Sequence, residues 1–456
     1  MSNTSTLLRQ EGRHILQLAG PILVAQFAQT ANGFVDTVMA GDVSPEDLAA
    51  VAVGSAIWIP VFLFLVGVMQ GLTPFVAQFR GRADHSAIGV VVQQGLWLAL
   101  PLGLLGFFSL RAMAPVLALM EVDVGIRPLI LGYLDGLSWG IPAITLFLAL
   151  RSLTEGMSYT APVMVVSLLG LAVNVPVNYV LIHGELGFPA LGGVGCGWAT
   201  SVVMWLMLIL MAGYALGFDR RHQTGLFQHR APPLLRHLLP ILRVGLPIGL
   251  AIFIEVSLFC VIALFIAGIG AEVVAGHQVA LNAASMAFMV PLSLSLALTV
   301  RVGTHVGRDQ PQALRHAVLA GLAIILVTAL VNSALMAWLR HPIAAIYTDD
   351  PVVIELAAGL LLFAALFQLS DCLQVGANGV LRGMKDTRWP MLITVLAYWG
   401  LGLPVGYLLG LTHWLGPPLT ARGFWIGLLV GLTAAAIMLC WRVQWQLRRP
   451  LATASG

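Results

Sequence analysis

The chain has 456 residues, 59% hydrophobic and only 9% charged, where an ordinary soluble domain carries roughly a quarter charged residues, so most of it belongs in lipid. Its 23 Lys+Arg against 20 Asp+Glu leave a net charge of +3, without the basic stripe that a nucleic-acid partner requires. Lys385 is the only lysine, which excludes a Gly-x-x-x-x-Gly-Lys phosphate loop and with it a self-contained ATP-driven pump.

Apolar runs of about 20 residues, the length that crosses a bilayer, number twelve. The first, 15–39, follows Arg9 and Arg13 but is too long for a signal-peptide core and lacks a small-residue cleavage pattern. It carries Asp36 in its outer third. Runs at 48–75, 88–110 and 129–150 follow, the last with Asp135 about two turns inside. The fifth, 161–182, places Asn174 and Asn178 one turn apart on either side of Pro176, and the sixth is 192–216. A polar stretch then divides the chain into an N-terminal lobe (1–216), a linker (217–239) and a C-terminal lobe (240–456). The seventh run, 240–268, has Glu255 near its middle with Phe259 one turn on. The eighth, 273–300, carries Gln278, Asn282 and Ser285 at helical spacing, followed by Met286, Phe288 and Met289. Run nine is 314–339; run ten, 352–376, holds Phe367 one turn before Asp371; runs eleven and twelve are 389–411 and 423–441.

All 23 basic residues except Arg111, Arg127, Arg340 and Arg422 then fall on the side of the two termini. The positive-inside rule makes both termini cytoplasmic and the number of spans even. Sliding the chain by about 226 residues superposes Pro21 on Pro247, Thr73 on Thr299 and Gly81-Arg82 on Gly307-Arg308; Gly156-Met157-x-x-Thr160 then falls on Gly383-Met384-x-x-Thr387, and Pro176-Val177-x-Tyr179 on Pro404-Val405-x-Tyr407. The expected fold is an all-α polytopic membrane protein, its twelve transmembrane helices in two parallel six-helix lobes related by a pseudo-two-fold axis along the membrane normal, the geometry of alternating-access transporters. Pro21, Pro60, Pro101, Pro142, Pro176, Pro247, Pro291 and Pro404 are expected inside spans, where each can bend its helix. Cys196, Cys260, Cys372 and Cys440 lack metal-type spacing and read as small packing residues.

The acids inside the apolar runs carry the functional reading. A carboxylate deep in the bilayer costs roughly 2.5–3.5 kcal/mol on insertion scales, and no lysine or arginine lies in mid-span to neutralise Asp36, Asp135, Glu255 or Asp371. Each must be protonated, hold a cation or face water. Asp36 with Asn174 and Asn178 suits a proton or a hard cation such as Na⁺. Gln278, Asn282 and Ser285 form a polar stripe expected to face Glu255 and Asp371. Phe259, Phe288 and Phe367 beside those acids suit flat amphipathic cations. Under the repeat Asp36 falls on Ile262, Glu255 on Gln29 and Asp371 on Ile144, so the scaffold is duplicated and its charge chemistry is not.

Val35-Asp36-Thr37-Val38-Met39-Ala40-Gly41, Gly276-His277-Gln278-Val279-Ala280 and Leu381-Arg382-Gly383-Met384-Lys385-Asp386-Thr387, within two six-span halves, resemble the multidrug and toxic compound extrusion family, in particular its bacterial NorM-type branch. The resemblance implies a monomeric multidrug antiporter of the bacterial inner membrane, driven by H⁺ or Na⁺ and needing no cofactor besides that ion. It assigns cation coupling to Asp36, Asn174, Asn178, Glu255 and Asp371, with Na⁺ as the candidate metal at the three acids. Drug binding is expected at Glu255, Phe259, Gln278, Asn282, Phe288, Phe367 and Asp371, the partners being small cationic drugs or dyes and the lipid bilayer. Phe367 stands where some Na⁺-coupled relatives carry a tyrosine, which favours protons. The alternative, a lipid-linked oligosaccharide flippase of the same superfamily, would need mid-span arginines. An intramembrane protease would need His-Glu-x-x-His or Gly-x-Gly-Asp, and neither motif is present.

Overall fold

The computed structural model describes residues 2–120, 122–227, 231–414 and 416–449; Arg230, counted above among the basic residues on the side of the termini, lies outside them. Among the described residues seventeen α-helices follow one another: α1 (Ser2–Gly41), α2 (Pro45–Gln70), α3 (Thr73–Gly81), α4 (His85–Arg111), α5 (Ala114–Leu119), α6 (Arg127–Ser138), α7 (Ile141–Gly156), α8 (Ala161–His183) and α9 (Val194–His222). After the linker come α10 (Leu235–Ala267), α11 (Ala271–Gly307), α12 (Pro311–Trp338), α13 (Arg340–Ala345), α14 (Pro351–Gly383) and α15 (Arg388–Thr394). A π-helical segment, Val395–Gly402, leads into α16 (Leu403–Leu411), and α17 (Ala421–Arg448) closes the order.

Local chemistry sets the helix ends. Ser44 accepts from the Asp47 amide at 3.0 Å ahead of Pro45. Asp84 accepts from the Ala87 amide at 3.0 Å, and Asp350 from the Val352 amide at 2.9 Å ahead of Pro351. These are N-caps, two of them with proline in the first turn where its missing N–H costs nothing. Gly184, at φ +76°, closes α8 in the left-handed conformation that glycine adopts freely. Pro21, Pro60, Pro101, Pro176, Pro247 and Pro291 lie inside helices as expected. Pro404, in the first turn of α16, lies inside the apolar span Arg388–Leu411 as expected, and Pro142, in the first turn of α7, lies just past the 41° bend where α6 and α7 meet.

Ten helices among the described residues are long and apolar enough to cross a membrane, and eleven when the α6–α7 pair counts as one bent span. The difference from twelve lies in α1. That helix is 40 residues long, yet Gln26, Gln29, Thr30, Asn32, Asp36 and Thr37 dilute its hydropathy.

The chain forms two compact units, one of residues 20–249 and the other of residues 1–19 with 250–456. The boundary therefore cuts α1 beside Pro21 and α10 beside Pro247, the two prolines that the repeat superposes. In the first unit α2 and α10 cross on glycine: a Cβ on Gly71 would stand 2.5 Å from Gly245 Cα, and one on Gly245 2.1 Å from Val68 O. Its linker is strapped to α4. Gln93 accepts from the Ala231 amide at 2.8 Å, Gln94 donates to Pro232 O at 2.9 Å and accepts from the Leu234 amide at 3.0 Å. Asp219 gathers the Leu226 and Phe227 amides at 3.0 and 3.2 Å together with Thr224. Burial pushes the Asp219 carboxyl up, but these hydrogen bonds outweigh it and hold it below the usual range.

In the second unit α11 and α14 pack through small residues. Ser295 Oγ donates to Val375 O at 2.6 Å and Thr299 Oγ1 to Gly379 O at 2.9 Å, close approaches that Gly379 and Gly383 permit. Bonds of this kind contribute roughly 0.6–2 kcal/mol each in a membrane. The first turns of α1 belong here because Arg301 donates to Glu11 at 2.7 Å and His305 Nε2 lies 3.2 Å from the same carboxylate.

Candidate functional site

Asp36 sits on α1 and is 5% exposed. Its carboxylate is met by donors from two other helices of the same unit. Asn178 Nδ2 donates to Oδ1 at 2.7 Å, Asn174 Nδ2 lies 3.4 Å from the same oxygen, and Thr200 Oγ1 donates to Oδ2 at 2.9 Å. Asn178 Nδ2 is also 3.0 Å from Asn174 Oδ1, and Cys196 Sγ is 3.5 Å from the Asp36 carbonyl. Both asparagines are fully buried. No arginine, lysine or histidine pairs with this acid among the described residues. Asn178 Oδ1 and Asn32 Oδ1, the latter one turn before Asp36 on α1, are buried without a hydrogen-bond partner, and an unpaired buried polar atom costs about 1–3 kcal/mol. A buried carboxylate among donors, with unsatisfied amide oxygens on Asn178, which donates to it, and on Asn32, one turn away on its own helix, is an arrangement a cation or proton completes.

The second unit has its own acidic group. Glu255 on α10 is partly buried and Asp371 on α14 is 4% exposed; the two carboxylates and Tyr398 lie within electrostatic reach of one another. Tyr398 Oη donates to Gln374 Oε1 at 2.6 Å and stands 3.5 Å from Glu255 Oε1, the latter too long for a strong bond. The π-helical segment carries Tyr398. Its Gly402 packs on α17, where a Cβ on Gly427 would lie 2.5 Å from Gly402 O. Such segments concentrate at functional positions.

The remaining candidates divide. Phe259 and Phe288 are partly buried, while Gln278, Asn282, Ser285 and Met286 are exposed. Gln278 Nε2 bonds Asn282 Oδ1 at 3.1 Å and Ser285 bonds its own helix at Leu281 O, 2.8 Å; none of the three bonds Glu255 or Asp371. Gln374 and Tyr398 are the polar groups there. Phe367 is 5% exposed and packs edge-on against Trp425, ring centres 5.9 Å apart, so it belongs to the core. Asp135 is not an unpaired intramembrane acid: it forms an ion pair with Arg111, whose guanidinium lies over Phe107 at 4.6 Å. A second ion pair, Arg151–Glu155 at 2.7 Å, is buried at the end of α7. Cys196 and Cys372 are buried as expected of packing residues, whereas Cys260 is exposed.

The MatE family model matches residues 21–180 and again 247–408. The chain belongs to the MatE family. The two matched segments begin at 21 and 247 and end at 180 and 408, offsets of 226 and 228, which are those of the internal repeat. MatE relatives include the multidrug resistance proteins PmpM of Pseudomonas aeruginosa, 49% identical over 97% of this chain and 93% of that protein, and NorM of Vibrio vulnificus, 44% identical over 96% of each. The fold matches the crystal structure of the eukaryotic MATE transporter AtDTX14 at TM-score 0.87, 19% identity and 96% coverage of each chain. It also matches an outward-facing multidrug resistance MATE family transporter at TM-score 0.87, 22% identity and 97% coverage of each. The protein is a multi-pass membrane transporter, not an enzyme.

Sequence reasoning missed Thr200, Asn32, Tyr398 and Gln374. Thr200 and Asn32 stand in polar breaks of their runs, Trp-Ala-Thr-Ser and Thr-Ala-Asn-Gly, a signal that was available. Nothing in the sequence announces the π-helical turn that aims Tyr398.

Proposed function

We propose that this protein is a cation-coupled multidrug efflux antiporter that exports small amphipathic, mostly cationic compounds across the bacterial inner membrane by alternating access, with both termini cytoplasmic. The names of its relatives support the drug class. The observation that carries the coupling is Asp36: a buried carboxylate with three side-chain donors, no basic partner and two unsatisfied amide oxygens beside it.

In this reading Asp36, Asn174 and Asn178 take H⁺ or Na⁺ in the first lobe, with Thr200 positioning the carboxylate. Glu255 and Asp371 serve cation and drug alike. Tyr398 has one proton, which it gives to Gln374; a protonated Glu255 then donates to the Tyr398 oxygen, whereas an ionised Glu255 competes with Gln374 for the phenol. Phe259, Phe288 and Met286, with exposed Gln278 and Asn282, offer an apolar surface with few polar groups, as promiscuous sites do. Drug and ion disfavour each other through these shared groups, which is all that coupling requires. The protein acts as a monomer and carries no resident cofactor.

Dye efflux from proteoliposomes with a Na⁺ gradient or a pH gradient imposed alone tests this. One gradient is expected to drive uphill dye movement. Equal transport without any gradient sinks the proposal.

A further inference from the structure

On the side of the membrane that holds the chain termini, the ends of α15 and α17 form a ladder of alternating rings and guanidinium groups. Arg442 lies 5.1 Å over Trp389 and 4.0 Å over Trp445, and Arg449 lies 3.3 Å over Trp445. Asp386 fixes the middle rung, accepting from Arg442 Nε at 2.7 Å and from Gln446 Nε2 at 2.6 Å. Arg442 thus spends its charge on Asp386 and serves to space the two indoles. Arg388, Arg448 and Arg449 are exposed and pair with no carboxylate among the described residues, so the corner keeps a clear positive excess.

Below it the surface is apolar. Trp389 is 51% exposed, and Leu392 and Leu396 continue it at i+3 and i+7 on the same helical face. Trp441, 66% exposed, is followed toward the membrane interior by Ile437 one turn away. Two uncovered apolar stripes therefore begin at tryptophans beside a cluster of arginines, one on each of two neighbouring helices. Tryptophan at the headgroup level and arginine against phosphate are each favourable there.

The first unit supplies an internal control. The end of α9 also carries a ring cluster, with Phe218 stacked on His222 at 4.0 Å and Tyr159 edge-on to Phe218 at 5.3 Å. Arg220 and Arg221 are exposed there, but no guanidinium is held between rings among the described residues.

We propose that the α15–α17 corner is a binding site for one anionic phospholipid, its headgroup phosphate held by Arg388 and Arg449 and its acyl chains laid along the two apolar stripes. The stripes make the ligand a lipid and not a free anion, and the arginine excess selects an anionic headgroup over a zwitterionic one. Arg442, Asp386 and Gln446 are positioning residues.

The test is native mass spectrometry of the purified full chain released from detergent with phosphatidylglycerol or phosphatidylcholine added. Wild type should retain one phosphatidylglycerol about tenfold more tightly than phosphatidylcholine, corresponding to about 1.4 kcal/mol. R388Q/R449Q should lose that preference, R388Q alone should lose about threefold, and R220Q/R221Q, which removes the same charge from the first unit, should keep it. Millimolar inorganic phosphate should not displace the lipid. Melting in lipid-free detergent checks that the variants are folded. Equal retention of the two lipids by wild type, loss of preference in R220Q/R221Q, or displacement by inorganic phosphate would each overturn the proposal.

Discussion

The two units contain one duplicated scaffold and two different acidic sites. Around Asp36 the side-chain donors are two short amides and a hydroxyl fixed on other helices, and the acid is 5% exposed. Beside Glu255 and Asp371 one phenol stands 2.6 Å from Gln374 and 3.5 Å from Glu255, and the helix bearing that phenol has the looser π pitch. In the proposed reading the first site takes something small. The second is a deformable pair of acids beside partly buried aromatic rings, better suited to an organic cation. Duplication fixed the helices; the side chains that took on chemistry diverged freely.

The largest effect should therefore separate the sites. D36N is expected to reduce gradient-driven dye efflux at least about 100-fold while leaving dye affinity within about threefold, because it removes the small-ion site only. D371N and E255Q should instead weaken binding of a cationic dye about tenfold, roughly 1.4 kcal/mol, measured by fluorescence titration in detergent. If all three variants lose affinity and efflux together, the division of labour breaks down.

Y398F comes next. It leaves Gln374 without its donor, worth about 1–3 kcal/mol for a buried group, and should lower efflux about tenfold with a changed pH profile. A merely structural phenol would lower melting temperature and leave that profile alone. T200A removes one of the donors to Asp36, a loss of about 0.5–1.5 kcal/mol, and should lower efflux about threefold, with T200S restoring it.

The last effect leaves transport alone and concerns stability, through the anchoring of the first turns of α1 within the second unit. Burial pushes the Glu11 carboxyl up, but hydrogen bonds from His305 and Arg301 and the Arg301 charge outweigh it and hold it at about 2, against 4.5 ordinarily. A depressed carboxyl stabilises the fold above its unfolded value and loses that contribution as pH falls through the folded one. Stability should thus be fully supported above pH 4.5 and decline toward pH 2, by up to about 3 kcal/mol. E11Q should flatten that decline in thermal melts.

Asp36, Glu255 and Asp371 were legible in the sequence because charge inside an apolar run is expensive and therefore rare, and Asn174 and Asn178 because a one-turn spacing on a helix puts them on one face. Their grouping with Asp36, expected from the sequence, is made by the fold across 138 and 142 residues. Asp135 looked like the other acids, but its neutralising partner, Arg111, ends a different helix. Phe367 had the right spacing from Asp371 and the wrong surroundings, since rotation about the helix axis decides whether a residue one turn away faces a site or the core. The polar residues around Asp36 leave α1 below the hydropathy that marks the other spans, although its apolar run 15–39 reads as a span in the sequence.

In the proposed antiporter, drug and small cation compete within one protein. Adding a saturating cationic drug to the purified protein in weakly buffered detergent, with a pH indicator and a Na⁺-sensitive probe present, measures this directly. Release of about one H⁺ or Na⁺ per drug bound, reduced in D371N, is the result this account predicts; drug binding that releases neither ion would contradict it.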